Sequence, residues 1–148
     1  MENVMETFEQ LHQTYQRLIE NSEEIFHALK HKDFPQLKLL NLKQLRGNDE
    51  LMAHLTTLGN QVTEVCQSHG IGEAKLSSLL PLASLVEKEC LLEHQRRAFQ
   101  AEKQFKNNAH INQVLAEAMM SCSQTIVDTW VHVAQMENKN NSFVNRKM

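Results

Sequence analysis

The chain has 148 residues, of which 41% are hydrophobic, 5% are aromatic and 22% are charged, and its formal net charge is -3. It contains only 4 glycines and 2 prolines, whereas the turns and strands of a sheet protein need more of both and more aromatic residues. Lysines and arginines form no basic stripe, which argues against a nucleic-acid partner. No apolar run reaches the roughly 20 residues that cross a bilayer. The composition therefore predicts an all-α protein with no membrane span.

The cysteines and the amino terminus indicate a cytoplasmic location. Cys66, Cys90 and Cys122 are odd in number and lack metal-type spacing, so we expect reduced, packed thiols. The first residues have neither the basic nor the apolar region of a signal peptide.

The first predicted helix has apolar residues at alternating steps of four and three, which is the spacing of one helix face. Asn3 and Glu6 resemble a capping box at its start. Ser22 is the one polar residue in the series Val4, Phe8, Leu11, Tyr15, Leu18, Ser22, Ile25 and Leu29.

The second predicted helix follows a short turn, because Asp33 can cap it and Pro35 falls in its first turn. A turn of this length makes the two helices antiparallel neighbours. Gly47-Asn48-Asp49 could kink the second helix, but the apolar pattern resumes in phase at Leu51, so we expect it to continue. The two glycines of His69-Gly70-Ile71-Gly72 should end it by adopting positive φ.

A long third helix is predicted from Ser84 to about Met136, a stretch without Gly or Pro. A short helical piece, residues 73–80, precedes it, and Ser84 and Glu87 form a full capping box. At 1.5 Å per residue the long helix would span about 80 Å, against roughly 45–50 Å for the first two. It must overhang the helical hairpin or break near Asn107-Asn108, and its continuous pattern favours an overhang. We expect an elongated, coiled-coil-like bundle of three to four helices in residues 1–137, followed by a disordered tail, residues 138–148.

Two asparagines interrupt the main apolar face of the long helix. Asn108 and Asn112 are four residues apart, so their amides point the same way. They can bind each other or fix helix register, which is the interpretation we favour, or they can bind the backbone of a partner. The face consists of Ala98, Ala101, Phe105, Asn108, Asn112, Leu115, Met119, Cys122, Ile126, Thr129, Val133 and Met136.

A second apolar stripe lies on the distal half of the same helix. The favoured interpretation is a central helix packed between two neighbours. The alternative is an adaptable groove for an amphipathic partner helix, with Met120, Val127, Trp130 and Val131 as its anchors. Ala116 and Ala134 complete the stripe.

No catalytic or metal-binding motif is complete. Glu9-x-x-His12 and Glu24-x-x-His27 have the spacing of carboxylate-bridged di-iron bundles, but both lie on the first helix and beside its apolar face. The chain also lacks a nucleophile elbow and a Gly-rich phosphate loop. We therefore expect no metal, no cofactor and no enzymatic activity.

Two segments resemble the FlgN-type flagellar export chaperones. One is Glu24-Ile-Phe-His-Ala-Leu-Lys-His-Lys-Asp-Phe34 with Leu37 and Lys43 after it, and the other is Asn108-Ala-His-Ile-Asn112-Gln-Val-Leu115. In the family the asparagines tend to be three residues apart and a leucine pair follows, whereas here the spacing is four.

The resemblance implies an all-helical cytosolic chaperone. Such a protein binds the helical terminal segments of hook-associated flagellar proteins, prevents their premature polymerisation and delivers them to the export apparatus. Two alternatives remain open: a coiled-coil scaffold that forms a homodimer or larger homo-oligomer, and a metal-binding helical bundle.

Overall fold

The computed structural model describes the backbone of residues 1–147 and the side chains of residues 1–136. The chain forms helix α1 (Glu2–Lys30), helix α2 (Phe34–Ser68), a 3-10 helix (Leu76–Leu82) and helix α3 (Leu85–Lys147). No strand occurs in the described backbone, so the all-α prediction is confirmed. Met1–Asn112 and Gln113–Met148 form two compact units, and each is described by itself below.

Helices α1 and α2 form the predicted antiparallel hairpin in the first unit. The Arg17 guanidinium donates to the Glu50 carboxylate over 2.5 Å, and the Asn21 side-chain amide donates to the Leu40 carbonyl over 3.0 Å. Residues later in α1 thus contact residues earlier in α2. Helix α2 is continuous through Gly47, as the phase of its apolar residues predicts.

Helix α3 packs on another side of α1 and runs parallel to it as far as Asn112. The Phe8 and His94 rings are stacked with their centroids 5.8 Å apart, and the Tyr15 and Phe105 ring centroids are 6.4 Å apart. Residue numbers therefore rise together along both helices. Because α1 has neighbours on two sides, it is buried on more than the single face that its apolar series predicts.

The core of the first unit lies between α1 and α2 and between α1 and α3, and the 3-10 helix also contributes to it. Leu79 of that helix and Cys66 of α2 are fully buried, and Leu91 of α3 is 1% exposed. The remaining members of the buried cluster are Val4, Phe8, Leu11, Tyr15, Ile19, Val62, Ala83 and Ala101.

Three helix ends follow the sequence predictions closely. The Gln36 backbone N–H donates to the Asp33 carboxylate over 3.2 Å, which caps α2. At its other end Gly70 has a φ of 68°, and the Ile71 N–H donates to the Cys66 carbonyl, as in a Schellman motif. Helix α3 has the full capping box, in which the Ser84 N–H donates to Glu87 Oε2 over 2.8 Å and the Glu87 N–H donates to Ser84 Oγ over 3.3 Å.

Other local predictions are wrong. Helix α1 begins one residue before Asn3 and its N-cap is Met1, with no side-chain cap bond. Gly72 does not adopt positive φ. The segment expected to be helical at residues 73–80 is a 3-10 helix, Leu76–Leu82, which contains Pro81 instead of ending before it. Only Cys66 is packed, because Cys90 and Cys122 are exposed.

Two sequence predictions concern the distal end of the chain. Helix α3 is continuous through Asn107-Asn108, so the break considered there does not occur. The backbone is helical to Lys147, but the side chains of residues 137–148 lie outside the described residues. The division at residue 137 and the disordered tail stay predictions.

Candidate partner-binding surface

Helix α3 carries a large exposed apolar face in the second unit. Every described side chain from Met120 to Met136 is exposed. Trp130 is 71% exposed and Met120 72%, and Val127 and Val131 are each more than half exposed. With 3.6 residues per turn, these four side chains fall on one side of the helix. We call this surface the distal face, and it consists of Ala116, Met120, Ile126, Val127, Trp130, Val131 and Ala134.

Several polar side chains of the second unit are bound within the same helix. The Gln113 amide donates to the Glu117 carboxylate over 3.0 Å, and the Gln124 amide donates to the Asp128 carboxylate over 2.9 Å. Thr125 and Thr129 donate their hydroxyls to carbonyls one turn earlier. The distal face therefore offers a partner mainly apolar contact.

The exposure of this segment contradicts the interpretation that we favoured from the sequence. A central helix packed between two neighbours would bury both apolar stripes, whereas the described side chains of this unit leave both open to solvent. Exposed apolar patches of this kind are often interaction surfaces. The alternative interpretation, a surface that receives an amphipathic partner helix, stays a prediction.

Asn108 and Asn112 lie in the first unit, where they bind Ser22 of α1 instead of each other. The Asn108 amide donates to Ser22 Oγ over 3.0 Å, and the Asn112 amide donates to the Ser22 carbonyl over 2.8 Å. Ser22 Oγ itself donates to the Ile19 carbonyl over 2.6 Å. The two asparagine bonds join α3 to α1 and form only when the helices are correctly aligned along their axes, so both asparagines fix helix register.

The same two asparagines line a groove between α1 and α3. It has a volume of about 310 Å³, and Phe26 and Ile111 are its apolar side chains. The amide oxygen of Asn112 is buried and has no hydrogen-bond partner among the described residues. Binding of a partner by Asn108 and Asn112 stays a prediction, and each side-chain amide already uses one of its two N–H donors within the chain.

Ser22 is a structural residue that the sequence alone did not identify. It is only 1% exposed and receives both asparagine side chains. One signal was available, because Ser22 is the single polar residue in the apolar series of α1. Its pairing with Asn108 and Asn112, 86 and 90 residues further along the chain, depends on the parallel packing of α1 and α3.

The two Glu-x-x-His segments have different surroundings. Glu9 accepts from the Arg97 guanidinium over 3.3 Å, and burial together with the Arg97 charge lowers the pKa of His12. The ring of His27 lies against that of Phe26 with the centroids 5.8 Å apart. No group of three or more metal-ligating side chains occurs within residues 1–136.

Comparison with known proteins provides no further guide to the function. No protein-family model, curated protein or solved structure matches the chain. Among the described residues, no helix is both long and apolar enough to cross a membrane. The functional argument therefore depends on the exposed surfaces of the helices.

Proposed function

We propose that the chain is a cytoplasmic export chaperone of the FlgN type. It binds the helical terminal segment of a hook-associated flagellar protein along the distal face, prevents that segment from polymerising and delivers it to the export apparatus. The family assignment comes from the resemblance of the two sequence segments. The observation that supports the binding mode is the exposure of Met120, Val127, Trp130 and Val131 on one side of α3.

The chemistry of the distal face suits the capture of an amphipathic helix. Apolar side chains at steps of three and four match the anchors of a helix that lies along a groove. Methionine adapts to different partner side chains, and tryptophan supplies a large buried contact. Burial of each large anchor contributes about 2 kcal/mol or more to binding. A cargo segment that is disordered when free loses entropy on binding, so the affinity should be moderate and the cargo releasable.

The test is the double variant Val127→Asp with Val131→Asp. Both side chains are exposed, so the variant should keep its helical content in circular dichroism. It should lose measurable binding to the terminal helix of a hook-associated protein in isothermal titration calorimetry, because two carboxylates would be placed in an apolar interface.

The matched control is Leu85→Asp with Val86→Asp. These apolar residues are 75% and 70% exposed, and they lie in the first turn of α3, where acidic residues are favoured. The control makes the same change in charge and should bind cargo as the parent does. A folded distal-face variant with the parent's affinity would place the cargo site elsewhere on the chain.

A further inference from the structure

Helix α2 carries a second uncovered apolar surface, on the first unit. Phe34, Leu45 and Met52 are each about 60% exposed, and Leu42 is 46% exposed. Lys38 and Asp49 lie between them and are also exposed. Successive members of the series are three or four residues apart, so they share one side of the helix. We call this surface the outer strip, and it consists of Phe34, Lys38, Leu42, Leu45, Asp49 and Met52.

The outer strip is separate from the side of α2 that builds the core. That side holds Leu40, Val62 and Cys66, all of which are buried. Neither Lys38 nor Asp49 takes part in an ion pair within the described residues. The strip thus presents four apolar side chains and two unpaired charges of opposite sign.

The order of residues along the strip is self-complementary. Read in either direction, the series is apolar, charged, apolar, apolar, charged, apolar, and reversal exchanges the lysine for the aspartate. The strip can be divided into three pairs whose midpoints along the sequence all fall at positions 43–44. The pairs are Phe34 with Met52, Lys38 with Asp49, and Leu42 with Leu45. When two such helices pair in antiparallel orientation, each charge therefore faces its opposite and each apolar residue faces an apolar residue.

We propose that the outer strip binds a second copy of this chain, with the two α2 helices antiparallel about a two-fold axis near positions 43–44. The interface is isologous, so Lys38 of each copy pairs with Asp49 of the other. A parallel pair would instead place lysine opposite lysine and aspartate opposite aspartate, which is repulsive. This proposal does not depend on the chaperone assignment, because it concerns a different helix and a different unit.

The small size of the strip is typical of a weak, reversible association. From Phe34 to Met52 the helix extends about 27 Å, and a single helix face of that length buries less area than a standard stable interface. Contacts of this size form reversible complexes, so we expect dimers at about 100 µM chain and monomers at about 1 µM.

The experiment is sedimentation velocity of the full chain over this concentration range at low ionic strength. The single variants Lys38→Glu and Asp49→Lys should each weaken dimerisation at least about tenfold, because each creates two repulsive pairs per dimer. An equimolar mixture of the two variants should recover the parent's affinity, since every charge then faces its opposite. The chain that carries both changes should recover it as well.

Two control variants and three contrary outcomes complete the test. Lys43→Glu and Glu64→Lys make the same charge changes on α2 at exposed positions away from the strip, and they should leave the association unchanged. A chain that remains monomeric at about 100 µM would overturn the proposal. So would single reversals without effect, or dimers abolished by the Val127→Asp and Val131→Asp pair, which would place self-association on the distal face.

Discussion

Gly47 of α2 faces Leu18 of α1, and the contact explains a glycine that looked like a weak point in the sequence. A Cβ atom built at Gly47 would lie 2.5 Å from Leu18 Cδ2, and Leu18 is itself only 2% exposed. The missing side chain therefore lets a buried leucine occupy the space beside α2. Gly59 of the same helix has no atom near its own hypothetical Cβ, so it provides a matched comparison.

The two glycines should respond to alanine in opposite ways. Gly59→Ala should raise the free energy of unfolding by about 0.5–1 kcal/mol, because alanine loses less backbone entropy in a helix. Gly47→Ala should lower it by roughly 1 kcal/mol, since the overpacking of Leu18, typically about 1–3 kcal/mol, exceeds the gain in helix propensity. Urea unfolding of the full chain measures both. Equal stabilisation by the two changes would show that Leu18 moves aside freely.

At the level of the elements, the start of α3 differs from the start of α1. Ser84 and Glu87 exchange two hydrogen bonds, and the bond from the Ser84 backbone N–H is the largest cause that lowers the pKa of the Glu87 carboxyl. Asn3 and Glu6 have the same spacing in the sequence, but Asn3 lies inside α1, where its carbonyl accepts the Thr7 hydroxyl. A capping box needs a non-helical backbone at its first residue, and Asn3 does not have one.

This difference predicts unequal effects of alanine at the two positions. Ser84→Ala should lower the thermal unfolding midpoint by a few degrees, as loss of a helix N-cap usually does. Asn3→Ala should leave the midpoint almost unchanged, because no cap bond is lost. Differential scanning calorimetry of both variants measures the contrast. A loss at Asn3 as large as that at Ser84 would show that the Asn3 side chain does cap α1.

At the scale of the whole molecule, the first unit contains a group that links stability to pH. His12 of α1 is near Arg97 and His94 of α3 and near Glu9 of its own helix. Burial is the largest cause of its lowered pKa, followed by the positive charge of Arg97, while Glu9 partly opposes them. The folded protein therefore binds a proton at His12 more weakly than the unfolded chain does.

This difference in proton binding makes the free energy of unfolding depend on pH. The unfolded chain binds the proton near the ordinary pKa of 6.5, and the folded chain binds it only at lower pH. The stability that neutral His12 contributes is fully present above pH 6.5 and decreases as the pH falls towards the folded-state pKa. Unfolding free energies at about pH 8 and about pH 5.5 should differ less in His12→Gln than in the parent. His31→Gln, at an exposed position, is the control, and an unchanged pH dependence in His12→Gln would contradict the prediction.

Local sequence signals were sufficient for the helices and most of their ends. The low Gly and Pro content and the spacing of apolar residues predicted α1, α2 and α3, and Asp33, Gly70 and Ser84 marked three boundaries correctly. These features depend on interactions within one or two helical turns, so the sequence by itself determines them. The same short range explains the error at Asn3, because spacing alone does not tell whether the backbone there is already helical.

Tertiary structure decided which apolar faces are covered. The sequence shows two apolar stripes on the distal half of α3 and apolar residues around much of α2. The spacing of the apolar residues is the same whether a stripe is buried by a neighbouring helix or exposed to solvent. Because α1 packs between α2 and α3, Ser22 forms hydrogen bonds with Asn108 and Asn112. The same packing places Leu18 against Gly47. The structure likewise shows that Trp130 and Leu45 are exposed. Burial depends on contacts between residues far apart in the chain, and periodicity carries no information about those contacts.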